Sequence, residues 1–106
     1  MLVVTTENIA GYNIDKVIGH TFGVVVRSRG LGGNITASVR SLFGGEIKEY
    51  TEMIEDARKV AIDRMIQNAH AMGANAIVMM RFDSGEIGQT MSEIVAYGTA
   101  VVAEKI

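Results

Sequence analysis

The sequence predicts an α+β fold: an antiparallel β-sheet with one long helix packed across it. Three observations predict it. Glu46 to Met72 carries helical periodicity between the Gly44-Gly45 pair and Gly73. Stretches rich in β-branched residues stand on both sides of that helix, as VIGHTFGVVVRSR before it and AIVMMRF after it. The last stretch, MSEIVAYGTAVVA, is apolar on both of its alternating faces. The expected order is β-β-α-α-β-β, and strands followed by helices and then strands read as α+β.

Taken in order, Met1 to Thr6 reads as a short strand. Asn8 to Lys16 is turn-rich, with Gly11, Asn13 and Asp15. Val17 to Arg29 reads as a long strand in which Gly19 and Gly23 signal a bend or bulge. Its alternation puts Ile18, His20, Phe22, Val24 and Val26 on one face and Thr21, Gly23, Val25 and Arg27 on the other. Gly30 to Asn34 is a glycine-rich connector, and Ile35, Val39, Leu42 and Phe43 space a short amphipathic helix. Ala76 to Phe82 is a nearly continuous apolar strand, Asp83 to Thr90 a polar loop, and Met91 to Ala103 the closing strand. An antiparallel strand with one wet face alternates more clearly than this one, so both faces of the sheet are expected to be covered.

The long helix has carboxylates, Glu46 and Glu49, in its first turn, where they complement the helix dipole. Gly73 is its expected C-terminal cap. At 1.5 Å per residue it spans about 40 Å. Lys48, Glu52, Glu55, Asp56, Lys59, Asp63, Gln67 and His70 gather on the polar side, and Ile47, Tyr50, Ile54, Ala57, Ala61, Met65, Ala69 and Met72 on the apolar side. Met53, Val60, Ile62 and Ile66 widen the apolar arc beyond the roughly 100° that a one-sided surface helix needs. One sheet covers such an arc poorly, which calls for a second surface, and in a short chain a neighbouring subunit is the natural one. Arg58, Arg64 and Asn68 interrupt the arc. They read either as side chains snorkelling at its edges or as arginine forks at a subunit interface or anion site.

The chain has 106 residues, which fits a single domain over 1–106. Hydrophobic residues make up 48%, a high share for a small monomer and in keeping with buried interfaces. A net charge of −2 argues against nucleic acid or an anionic membrane as partner. The absence of cysteine removes disulfides, thiolate metal sites and cysteine nucleophiles. No apolar run approaches a membrane span and no signal peptide is visible, so a cytoplasmic location is expected.

An ordered set of pieces carries a family resemblance: Gly30 to Ile35 (GLGGNI), Ser38 to Gly45 (SVRSLFGG), Tyr50 to Arg58, Gly73 to Ala76 (GANA) and Gly98 to Val101 (GTAV). On these pieces the chain resembles the YbjQ-like family, and the resemblance covers nearly its whole length. That family is of unknown function and carries a heavy-metal-binding label. The resemblance implies a dodecin-like subunit fold and a ring-shaped homopentamer. It implies no established reaction.

Candidate chemistry is sparse. For a metal, the chain offers His20 and His70 in distant elements and no paired-histidine spacing. His20 shares a strand face with Phe22 and Val24 and reads as a core or interface histidine, while His70 lies on the charged side of the helix. The seven methionines fit core packing better than Cu(I) ligation. A heavy metal is therefore implied by the family label alone, unless symmetry copies of one side chain share it. RGLGGN lacks the pattern of a phosphate loop. Arg27, Arg29 and Arg40 flank it, and with Arg58 they are the candidate binders of a small anion in a ring of copies. No catalytic triad or paired-carboxylate cleft stands out, and Asp83 and Glu86 read as solvated. The leading expectation is a homopentameric binding module for a small ligand or metal ion. A structural or protein-interaction scaffold is the alternative, and a weak enzyme ranks third.

Overall fold

A computed structural model describes residues 1–28 and 48–106. Its elements are β1 (Leu2–Val3), β2 (Tyr12–Ser28), α1 (Lys48–Ala71), β3 (Ala76–Ile87) and β4 (Met91–Lys105). The glycine-rich connector, the short helix around Ile35 to Phe43 and the first two residues of the expected long helix lie outside the described residues.

The α+β class holds, with one correction to the sheet. The strands lie in the order β1-β3-β4-β2, and β1 runs parallel to β3, so the sheet is mixed rather than antiparallel. The long antiparallel pairs are β2 with β4 and β3 with β4. Two elements are longer than expected. Strand β2 begins at Tyr12, because Tyr12 to Lys16 pair with Val102 to Lys105 across a bulge at Asp15. Strand β3 runs through Asp83–Ile87, all paired with β4, and Gly88, Gln89 and Thr90 alone form the turn. Gly88 opens the turn at φ +65°, a left-handed conformation that glycine adopts without Cβ strain.

Helix α1 buries the middle of the predicted stripe, Ala57, Ala61, Met65 and Ala69, while Tyr50 and Ile54 are half-buried and Met72 is exposed beyond the helix end. It ends in a Schellman motif: Ala74 N–H donates to Ala69 O at 3.0 Å and Gly73 N–H to His70 O at 3.0 Å, with Gly73 at φ +93°. The helix seats on the sheet over Val25, Ile94, Ala96 and Ala100. Gly23 is the contact point. A Cβ built there would stand 2.2 Å from Ala61 O and 2.5 Å from Met65 N. Beside it the buried Thr21 hydroxyl donates to Met65 O at 3.1 Å. The flanks of the arc, Met53, Val60, Ile62 and Ile66, are only half-buried by the sheet.

A second core forms on the opposite face of the sheet at one end. Val4, Ile9 and Ile14 pack there on Ala76, Val78, Val101 and Ala103. Backbone bonds from Val4 to Ile77 and from Met79 to Thr6 tie the N-terminal segment down, and Arg81 Nη1 donates to Thr5 O at 2.8 Å. A bulge at Met79–Met80, with Met79 at φ +56°, turns Met80 into the helix-side core and leaves Met79 exposed. The molecule is elongated. Its radius of gyration is 17.2 Å, against about 13 Å for a compact chain of about 100 residues. Strand β2 alone accounts for most of the 54 Å long axis, since its 17 residues at about 3.3 Å each reach about 56 Å. Helix α1, with 24 residues, reaches about 36 Å, so the sheet overhangs the helix and not the reverse.

Candidate functional site

The rest of the face opposite the helix is left open by the described residues. Alternation along β2 sends Thr21, Gly23 and Val25 to α1, and therefore His20, Phe22, Val24 and Val26 to the other side. Register sets Tyr97 of β4 opposite Phe22, and Val95 opposite Val24. Phe22 is 49% exposed, Val26 48% and Tyr97 43%. His20 and Phe22 stack with ring centroids 6.2 Å apart and planes 7° from parallel. The result is an apolar and aromatic surface with one imidazole on it. Such a surface offers stacking and dispersion contacts to whatever covers it.

His20, expected in a core or interface, is exposed in the chain, because the face it shares with Phe22 has no covering layer from the described residues. His70 is exposed near the C-terminal end of α1, which packs on the other face of the sheet. The two histidines are thus not brought together. Among the described residues no group of three or more His, Asp or Glu side chains could hold a metal ion. Residues 29–47 add one carboxylate, Glu46, and no histidine or cysteine. The histidines and carboxylates of the described residues therefore do not assemble a metal site within one chain.

The arginines are dispersed. Arg27 Nη2 donates to Asp56 Oδ2 of α1 at 2.9 Å, while its Nε is buried without an acceptor among the described residues. Arg58 stacks over Phe82 of β3, its Cζ 4.7 Å from the ring centroid. Since β4 lies between β2 and β3, Arg27 and Arg58 occupy opposite flanks of the helix. Arg29 and Arg40 lie outside the described residues. On the helix side, Ile54, Ser84, Gly85, Glu86, Ser92, Glu93 and Ile94 line an open cleft of about 300 Å³.

Two residues gain a role that periodicity did not reveal. Arg64 Nη1 donates to Val24 O at 2.7 Å, and Asn68 Nδ2 to Phe22 O at 2.7 Å. They neither snorkel freely nor pair with a carboxylate, but hold main-chain carbonyls of β2. The sequence signal was their place as polar interruptions of the apolar arc. The acceptors carry no signal, because every residue has a carbonyl.

Among the described residues no helix is long and apolar enough to cross a membrane. A family model described as "Putative heavy-metal-binding" matches residues 1–104. A UPF0145 protein of Bradyrhizobium sp. (strain ORS 278) is 69% identical over 104 residues, covering 98% of this chain and 94% of its own length. A UPF0145 protein of Sulfurisphaera tokodaii is 59% identical over 105 residues, covering 99% of this chain and 92% of its own. The fold is similar to a crystal structure of a protein of unknown function in the DUF74 family from Pediococcus pentosaceus, with a TM-score of 0.70, 13% identity and 98% of each chain covered. With this likeness in sequence along nearly its whole length, the chain belongs to the YbjQ family of UPF0145 proteins.

Proposed function

We propose that the chain is the subunit of a ring homo-oligomer, of five copies as the family resemblance implies, and that the ring binds a small ligand where subunits meet. One observation carries the reading: an apolar and aromatic sheet face, built on Phe22, Val26 and Tyr97, is left uncovered by the described residues, which form an elongated body. Covering those three side chains alone removes on the order of 300 Å² from water, which at about 25 cal/mol per Å² is a substantial drive to associate. A second copy supplies the missing layer without any other component.

The arginines support a small anion as the ligand. Arg27 retains a buried Nε–H donor, and Arg29 and Arg40 follow it in the sequence. Arg58 is the fourth candidate and would act from the other flank of the helix. A metal would need one donor from each of several copies, and His20 is the side chain on the open face that can supply it.

The test is native mass spectrometry of the untagged protein beside a denaturing run and a metal analysis of the same sample. The proposal expects a multiple of the 11.4 kDa chain plus extra mass that leaves on denaturation. An Arg29→Ala variant is expected to lose that mass if it is an anion. A monomer overturns the assembly. A bare ring that captures no small anion overturns the ligand and leaves a scaffold.

A further inference from the structure

Among the described residues strand β2 is an edge of the sheet, and an edge strand presents main-chain groups that can template pairing with another chain. The danger here is specific. The Val17 to Val26 stretch carries no carboxylate, lysine, arginine or proline, and Phe22–Val26 reads FGVVV. Such a run is the composition of a strand that adds to copies of itself.

The structure holds a device on that edge. The carbonyls of Phe22 and Val24 point away from β4 and accept from Asn68 and Arg64 at 2.7 Å each. The spacings match. Alternate residues of a strand repeat at about 6.8 Å, and residues four apart on a helix at about 6 Å. Two donors at i and i+4 on α1 therefore meet two successive outward acceptors on β2. Gly23, between those acceptors, has no side chain and lets the helix come close enough for both bonds.

We propose that Arg64 and Asn68 form an edge lock: they occupy the outward carbonyls in the middle of β2 and so prevent an extended strand of a second chain from adding there. The lock is independent of whether the protein forms a ring or binds a ligand. Both side chains lie on the exposed surface, so truncating them opens the edge without leaving a cavity in the core.

The test uses the full chain with Arg64→Ala and Asn68→Ala together, and a fluorescent peptide with the sequence of residues 18–28 as the added strand. Losing two hydrogen bonds of ordinary net strength exposes the edge roughly a hundredfold more often. The folded double variant is expected to bind the peptide with that gain over wild type, read by fluorescence anisotropy, and to show an intermolecular β-sheet infrared signature at high concentration. Arg64→Lys, which keeps a donor, is expected to stay closed. Peptide binding to wild type at the variant's affinity overturns the proposal, as does a folded double variant that binds no peptide. A double variant that does not fold also overturns it, because the two side chains would then hold the helix on the sheet and not guard the edge.

Discussion

Replacing Gly23 with alanine tests the close approach of helix and sheet. The new Cβ would lie 2.2 Å from Ala61 O, 2.5 Å from Met65 N and 2.9 Å from Arg64 Cβ. Two of these atoms belong to the helix main chain, so no rotamer change relieves the collision. Restoring an ordinary carbon–oxygen contact requires α1 to withdraw by about 1 Å, and a gap of that size forfeits a large part of each dispersion contact along the interface. Overpacking of this kind costs about 1–3 kcal/mol. The withdrawal also stretches the 3.1 Å bond from the buried Thr21 hydroxyl to Met65 O, worth about 1 kcal/mol. Stiffening of the unfolded chain returns about 0.4–1 kcal/mol. The expected net loss is about 1–4 kcal/mol, against the roughly 5–15 kcal/mol typical of a domain. Urea unfolding at one fixed protein concentration, followed by far-UV circular dichroism, reads it as a lower midpoint with an unchanged slope. Gly85→Ala is the control, because nothing lies within 4 Å of its added Cβ. It is expected within about 0.5 kcal/mol of wild type. Adding Ala61→Gly to Gly23→Ala should not rescue it, since the collision is with the main-chain oxygen and not the Ala61 methyl. If Gly23→Ala matches Gly85→Ala in stability, the close approach is not as described and the reasoning fails.

Asn75 extends the β4 ladder through its side chain, donating from Nδ2 to Ala103 O and accepting at Oδ1 from Ala103 N, both at 2.8 Å. Asn75→Ala is expected to cost about 1–3 kcal/mol in the same unfolding assay, and Asn75→Asp at least as much, because it loses the donor. Phe22→Ser with Tyr97→Ser should lower the mass measured by light scattering toward that of one chain while leaving the circular dichroism spectrum intact, if the open face is where copies meet. The Arg27–Asp56 pair is 39% and 64% exposed, so Asp56→Asn is expected to cost at most about 1 kcal/mol, less at high salt, in urea titrations at two ionic strengths.

Local periodicity carried the helix well. Ala57, Ala61, Met65 and Ala69 recur every four residues, and they are the side chains α1 buries. The Gly73 cap was legible for a similar reason, because its conformation belongs to its residue type. Pairing between distant segments was not legible. Asp83, Ser84, Gly85 and Glu86 have the composition of a loop, yet they form a strand because β4 offers partners to all of them. Leu2 and Val3 look like any short strand, and nothing in them tells that β3 receives them in parallel. The open face was half legible. Alternation put Ile18, His20, Phe22, Val24 and Val26 together, but the bulge between Val17 and Gly19 turns Ile18 to the helix-side core. The two apolar faces of β4 pointed to a cover on each side. Which cover comes from the chain itself depends on where Val4, Ile9 and Ile14 fold, and they reach only one end of the sheet.

The open face and the held edge constrain assembly jointly. A sheet protein grows either by adding strands at an edge or by stacking on a face. At the middle of β2 the outward carbonyls of Phe22 and Val24 are taken by Asn68 and Arg64, so sheet extension there must first break two bonds. Among the described residues the face that carries Phe22, Val26 and Tyr97 has no such guard, and a partner laid on it breaks none of their bonds. The two features share residues: Phe22 and Val24 give their carbonyls to the helix and their side chains to the open face. Fixing those carbonyls also fixes the plane from which the side chains project. The helix that closes the edge thereby holds the face in one shape, which is what a specific subunit contact needs and what a sticky, sliding strand edge would not provide.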